Sequence, residues 1–163
     1  MWRSRPLSGS PRPVPSLGSG GFTLIELLTV VVVLALLATV GIARTSYTLD
    51  QARVARAIGD IRALASDVQG FQAASAGQAL PASLAVVDRA GMADPWGNPY
   101  VYVNFKLGGT PRTDVFGVDL NSEYDIYSIG KDGASAISIT AGPSQDDVVL
   151  GNDGGYIGRA SRY

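Results

Sequence analysis

The 163 residues contain no His and no Cys, so two of the usual instruments of protein chemistry are missing. There is no imidazole base, no thiol nucleophile, no disulfide and no His- or thiolate-ligated zinc site. Carboxylates remain, and two groups of them invite chemistry. Glu26 is the only ionisable side chain from Phe22 to Ala43. A lone carboxylate in a membrane helix costs about 2–3 kcal/mol near the centre and less near the interface, so it carries a function by default. Asp132, with Asp146 and Asp147, would present several carboxylate oxygens to one hard cation if the loop between them folds back; calcium takes about six to eight such ligands. No motif groups the Asp, Ser, Lys and Tyr residues as a nucleophile and its base, which argues against an enzyme.

The elements that must position these groups follow from composition. The chain is 46% hydrophobic yet only 17% charged, and the imbalance comes from one run. Leu27–Ala43 holds seventeen residues without a charge, and extending it back to Phe22 gives 22 residues. At about 1.5 Å per residue such a helix spans roughly 33 Å, enough for the hydrocarbon core of a bilayer. A cleaved secretory signal has a shorter apolar region, about 7–15 residues, followed by a small-residue cleavage site. The preceding residues, 1–21, carry Arg3, Arg5 and Arg12, no acid, four prolines and four glycines, a basic leader unable to form a packed element. Without it, 10 basic residues face 14 acidic ones over the remaining 142, a net charge of −4. Such a body is a poor partner for nucleic acid. Arginines lie on both sides of the run, so charge bias does not set its orientation.

The junction Gly20-Gly21-Phe22-Thr23-Leu24-Ile25-Glu26 resembles the processing site of type IV pilins and of the pseudopilins of type II secretion. The resemblance implies that a prepilin peptidase cuts after Gly21 and methylates Phe22. It also implies a leader in the cytoplasm, a single retained span at 22–43 in the inner membrane, and a periplasmic head at 44–163. The Glu at position 26 is then expected to pair with the amine of Phe22 on a neighbouring subunit as filaments assemble. An unpaired charge in a low dielectric is strongly penalised, so pairing both would favour entry. The expected partners are copies of the chain itself, the peptidase, an inner-membrane assembly platform, other pseudopilins and membrane lipid.

Beyond the run, Val54, Ile58, Ile61, Ala65 and Val68 recur at helical spacing and predict an amphipathic continuation of one helix of about 50 residues. After a linker with Gly77 and Pro81, Tyr100–Phe105, Tyr124–Ile129 and Ala136–Thr140 are short, β-branched and aromatic segments bounded by turn residues, and predict three antiparallel strands. The expected fold is therefore α+β and type IV pilin-like, a long N-terminal helix packed on a small antiparallel sheet. Asp94-Pro-Trp-Gly-Asn-Pro-Tyr100 predicts a rigid corner with a Trp to bury. Its spelling, and that of Tyr124-Asp-Ile-Tyr-Ser-Ile-Gly-Lys-Asp-Gly133, resembles the major pseudopilins. The same resemblance implies calcium at Asp132 and at Asp146 or Asp147. Here, however, the usual short Gly-rich connection is replaced by Ala134–Gln145, which could stabilise the loop without metal. The expected function is a structural subunit of an export-driving pseudopilus. A subunit of a surface type IV pilus, major or minor, is the alternative, which the same N-terminus would serve.

Overall fold

The helix begins where a side chain can satisfy its first amides. Thr23 precedes Leu24, and its Oγ1 and carbonyl both accept the N–H of Glu26, at 3.3 and 3.1 Å. Thr followed three residues later by Glu is a capping-box spacing, and Glu26 sits in the first turn, where the helix dipole favours an anion. The computed structural model describes residues 21–163, and of residues 39–46 the backbone only. The expected leader ahead of Gly21 therefore lies outside the described residues, and of the end of the expected membrane run only the backbone is described. From Leu24 the helix α1 continues to Ala74, 51 residues, matching the predicted length.

The chain divides into two compact units, Met1–Ile42 and Ala43–Tyr163. In the first, every described residue from Gly21 to Ala38 is exposed. Among the described residues no helix is long and apolar enough to cross a membrane.

The second unit is the head. Its sheet has four antiparallel strands in sequence order: β1 (Val101–Asn104), β2 (Tyr124–Ser128), β3 (Val148–Gly151) and β4 (Tyr156–Arg159). Val101 pairs with Tyr127 and Asn104 with Tyr124; β2 meets β3 at Tyr127–Val149 and Ser128–Val148. Two of the three predicted strands are present. Ala136–Thr140 is not one: it makes a single bridge, Ser138 to Thr113, and buries Ile139 beneath the sheet. The strands that complete the sheet, β3 and β4, were not predicted. They form a hairpin whose turn places Asn152, Asp153 and Gly154 at positive φ.

The predicted stripe of α1 faces the sheet. Val54, Ile61, Ala65 and Val68 are buried and Ile58 packs beside them, with Ala57 and Leu64 completing the face. They meet Tyr124 and Ile126 of β2 and Val148 and Leu150 of β3. Alternation along the strands sends Val149 and Tyr127 to the other face. That face is covered by Leu120, Ile139 and Ala160, a second and smaller core. A sheet buried on both sides explains why β3 is apolar throughout. Arg159 of β4 pairs with Asp50 of α1 and fastens the sheet's edge to the helix.

Candidate functional site

Three regions of the chain bear on function, and the first is the N-terminal junction. Gly21 and Phe22 precede the helix, and Phe22 is 76% exposed. Nothing in the described residues covers the bond between them, the position at which processing is expected. Glu26 lies one helical turn further on, so its carboxylate and the Gly21–Phe22 bond share one end of the helix.

The second region is the corner at 94–100, and it is locked to the loop after β2. Asp94 is buried; its Oδ1 accepts the N–H groups of Trp96 and Asn98 at 3.0 and 2.9 Å, and its Oδ2 accepts the hydroxyl of Ser128 at 2.5 Å. Ser128 Oγ in turn accepts the N–H of Gly130, while Asn98 Nδ2 donates to the Gly130 carbonyl at 2.8 Å. The two recognisable motifs are therefore one hydrogen-bonded unit. Tyr100 closes the corner onto α1, donating to Asp60 Oδ2 at 3.0 Å. Burial and the Asp60 carboxylate push its phenol far above the usual range. Trp96 is half-buried against the main core, as the corner required.

The third region holds Asp132, Asp146 and Asp147, and each has protein donors. Asp132 Oδ1 accepts the Ala134 N–H at 2.9 Å. Asp146 Oδ2 accepts the N–H groups of Lys131 and Asp132 at 2.7 and 3.1 Å. Gly130, at φ 66°, leaves room for that carboxylate; a Cβ there would lie 2.7 Å from it. Asp147 points elsewhere, fully buried, with Oδ2 2.7 Å from both Arg112 Nη2 and Ser135 Oγ. Among the described residues no three His, Cys, Asp or Glu side chains gather as a metal site. Asp132 and Asp146 thus meet at the loop after β2, the Asp132 N–H donating to the Asp146 carboxylate, while Asp147 turns to Arg112 on the other side.

Arg112 is the residue that sequence reasoning missed. Its side chain is 3% exposed and lies over the Tyr127 ring, 4.3 Å from the centroid, while its backbone N–H donates to buried Asp125. Asn121 bridges Asp125 Oδ1 to the carbonyl of Leu150. Burial raises the carboxyls of Asp125 and Asp147 above the ordinary range, with their hydrogen-bond partners and Arg112 acting the other way. The available signal was Asp125 itself, an acid in a strand between Tyr124 and Ile126, which marks a second covered face.

Two relatives match along most of the chain. Type II secretion system core protein G of Pseudomonas aeruginosa is 32% identical over 151 residues, 81% of this chain and 93% of that protein. The chain belongs to this family, the major pseudopilins. The Escherichia coli protein of the same name is 29% identical over 132 residues, 69% of this chain and 82% of that protein. No family model matches the sequence, and no solved structure matches it. In this pseudopilin the hydrogen bonds of Asp94, Ser128 and Asn98 join the corner at 94–100 to the loop after β2.

Proposed function

We propose that this pseudopilin is a structural subunit of a periplasmic filament that drives protein export by a type II secretion system, assembled through its N-terminal helix after cleavage between Gly21 and Phe22. The observation that carries the reading is the helix from Leu24 to Ala38, whose residues are exposed throughout, Leu24 at 84% and Leu36 at 65% among them. That much apolar surface requires lipid or copies of itself as cover. The reading places the span at 22–43 in the inner membrane, with the head in the periplasm.

Energetics assign the roles. Lipid tails are as apolar as Leu, so moving this helix from lipid into a bundle of its own kind gains little from the hydrophobic effect. Packing and polar pairing must favour the bundle, and Glu26 against the amine of a neighbour's Phe22 supplies such a pair. Extraction from lipid still needs work, which the reading assigns to an inner-membrane assembly platform. Peptidase, platform and lipid are the external partners; the chain itself carries out no reaction. The test is genetic: deleting the chain should trap exported proteins in the periplasm, and the wild-type gene should release them. Normal export in the deletion strain would defeat the reading.

A further inference from the structure

The corner at 94–98 is built a second time, with its aromatic turned outward. Twenty residues on, Asp114-Val-Phe-Gly-Val118 repeats its hydrogen bonds. Asp114 Oδ1 accepts the N–H groups of Phe116 and Val118 at 2.7 and 2.9 Å. The Asp114 N–H donates to the Val118 carbonyl at 2.8 Å, as that of Asp94 does to Asn98 at 2.7 Å. Thr113 pairs with Asp119 as Ala93 does with Pro99, and Gly117 like Gly97 has positive φ. Trp96 packs against the core, whereas Phe116 is 85% exposed, with Val115 and Val118 exposed beside it. The acids of this hairpin do not share the tip: the Asp114 carboxylate is turned onto its own backbone, and Asp119 lines a separate recess with Asn152 and Asp153. What the hairpin presents outward is a rigid apolar point, which costs little entropy to bury.

The tip belongs to the end of the head where α1 enters it. Val115 lines one groove with Arg162 and Tyr163, and Arg162 lines the next with Gln51, Val54 and Ile58 of α1. Gln51 Nε2 in turn donates to the Tyr47 hydroxyl at 3.0 Å. Tyr47, Leu49, Arg53, Arg162 and Tyr163 are all exposed, and neither Arg53 nor Arg162 enters an ion pair among the described residues. Along α1, Gln51 is eight residues beyond Ala43, a rise of about 12 Å, and Ala43 is where the expected span ends. Exposed aromatics set among arginines without acidic partners suit the layer where a bilayer meets water. There rings settle at the level of the headgroups, and arginines lay their stems on apolar surface while the guanidinium meets phosphate.

We propose that this end of the head docks on the phospholipid surface while the subunit is held in the membrane, with the Phe116 tip in the headgroup layer and Arg162 and Arg53 facing lipid phosphates. The inference rests on the membrane reading above. It gives the subunit a second hold on the bilayer besides its span, and that hold must be released before the helix is drawn into a filament.

The chain has no native cysteine, so a single reporter can be placed by substitution. The full chain is reconstituted into vesicles of phosphatidylethanolamine and phosphatidylglycerol, with a fluorophore at Ser161→Cys or, for reference, at Lys106→Cys. Lys106 pairs with Glu123, which also accepts from Gln72; along α1, Gln72 is about 30 Å from Gln51. Quenching is read from lipid that carries a nitroxide near its headgroup. The expected result is strong quenching at position 161 and little at 106. Phe116→Asp with Arg162→Glu should abolish the quenching at 161 and leave melting of the head unchanged. Equal quenching at the two positions, or quenching at 161 that survives both substitutions, overturns the proposal. Conversion of Phe116→Cys chains in the same vesicles to disulfide-linked dimers would assign the tip to a second copy and overturn it as well. A chain that does not float with the vesicles removes the membrane reading together with this proposal, whereas one that floats with position 161 unquenched removes this proposal alone.

Discussion

Replacing Arg112 by Met should cost the head about 3–5 kcal/mol, the range for breaking a buried ion pair and leaving one charge uncompensated. Asp147 is fully buried, its Oδ1 already lacks a partner, and without the guanidinium only Ser135 would face it. The contact with the Tyr127 ring would also go, while the Arg112 N–H to Asp125 is backbone and would persist. For a unit of Ala43–Tyr163 the loss corresponds to a melting temperature lower by roughly 10–25 °C. Urea denaturation in detergent of a chain that starts at Phe22, followed by fluorescence, reads it directly, since that chain lacks Trp2 and keeps Trp96 as its only tryptophan. The deficit should depend on pH in one direction. Burial raises the Asp147 carboxyl in the folded state, and loss of Arg112 raises it further. A raised folded value means stability present at acid pH and lost as pH rises through that value. The variant should therefore fall furthest behind wild type near pH 7 and least near pH 4. Arg112→Met with Asp147→Leu should recover most of the loss, because an apolar pair of similar volume carries no desolvation penalty. A loss under about 1 kcal/mol, or one that is the same at both pH values, would refute the reasoning.

Other outcomes follow from the same contacts. Tyr100, Tyr102, Tyr124, Tyr127 and Tyr156 are all held above the ordinary phenol range by burial, Tyr102 at about 12; their stabilisation is complete below the unfolded value near ~10 and lost above it. Ultraviolet titration should thus show these tyrosines ionising together with alkaline unfolding, and reversible ionisation of all of them in a folded head would contradict this. Melting of the head with chelator and with added calcium tests the metal expected at Asp132 and at Asp146 or Asp147: a clear rise with calcium would support it, and a melting temperature unchanged by either would count against it. Glu26→Gln should leave processing and membrane insertion intact and lower filament yield, and assembly at the wild-type level would remove Glu26 from the assembly mechanism.

What could be read from the sequence was local. The helix announced itself through an uninterrupted apolar run and then a stripe at Val54, Ile61 and Val68, patterns that need no knowledge of distant partners. The corner at 94–100 was equally legible, since Asp, Pro and Gly at those positions define their own turn. Ala136–Thr140 was misread because alternation of Ile and Ser describes any segment with one buried face, and here Ile139 caps the sheet without joining it. The last hairpin escaped because its turn, Asn152–Gly154, lies within a polar, Gly-rich stretch that hides the short strands on either side. Arg112 could not be found locally, since its partners stand 13 and 35 residues away. The repeated Asp-x-aromatic-Gly of the second hairpin was in plain view, twenty residues from the first.

Intact-mass spectrometry of filaments sheared from an overproducing strain tests the central claim most directly. The account predicts a mass for residues 22–163 plus one methyl group, recovered as polymer, with the same processed species retained in the membrane at native expression. A full-length mass, or a chain cut beyond Ala43 and released as a monomer, would contradict it.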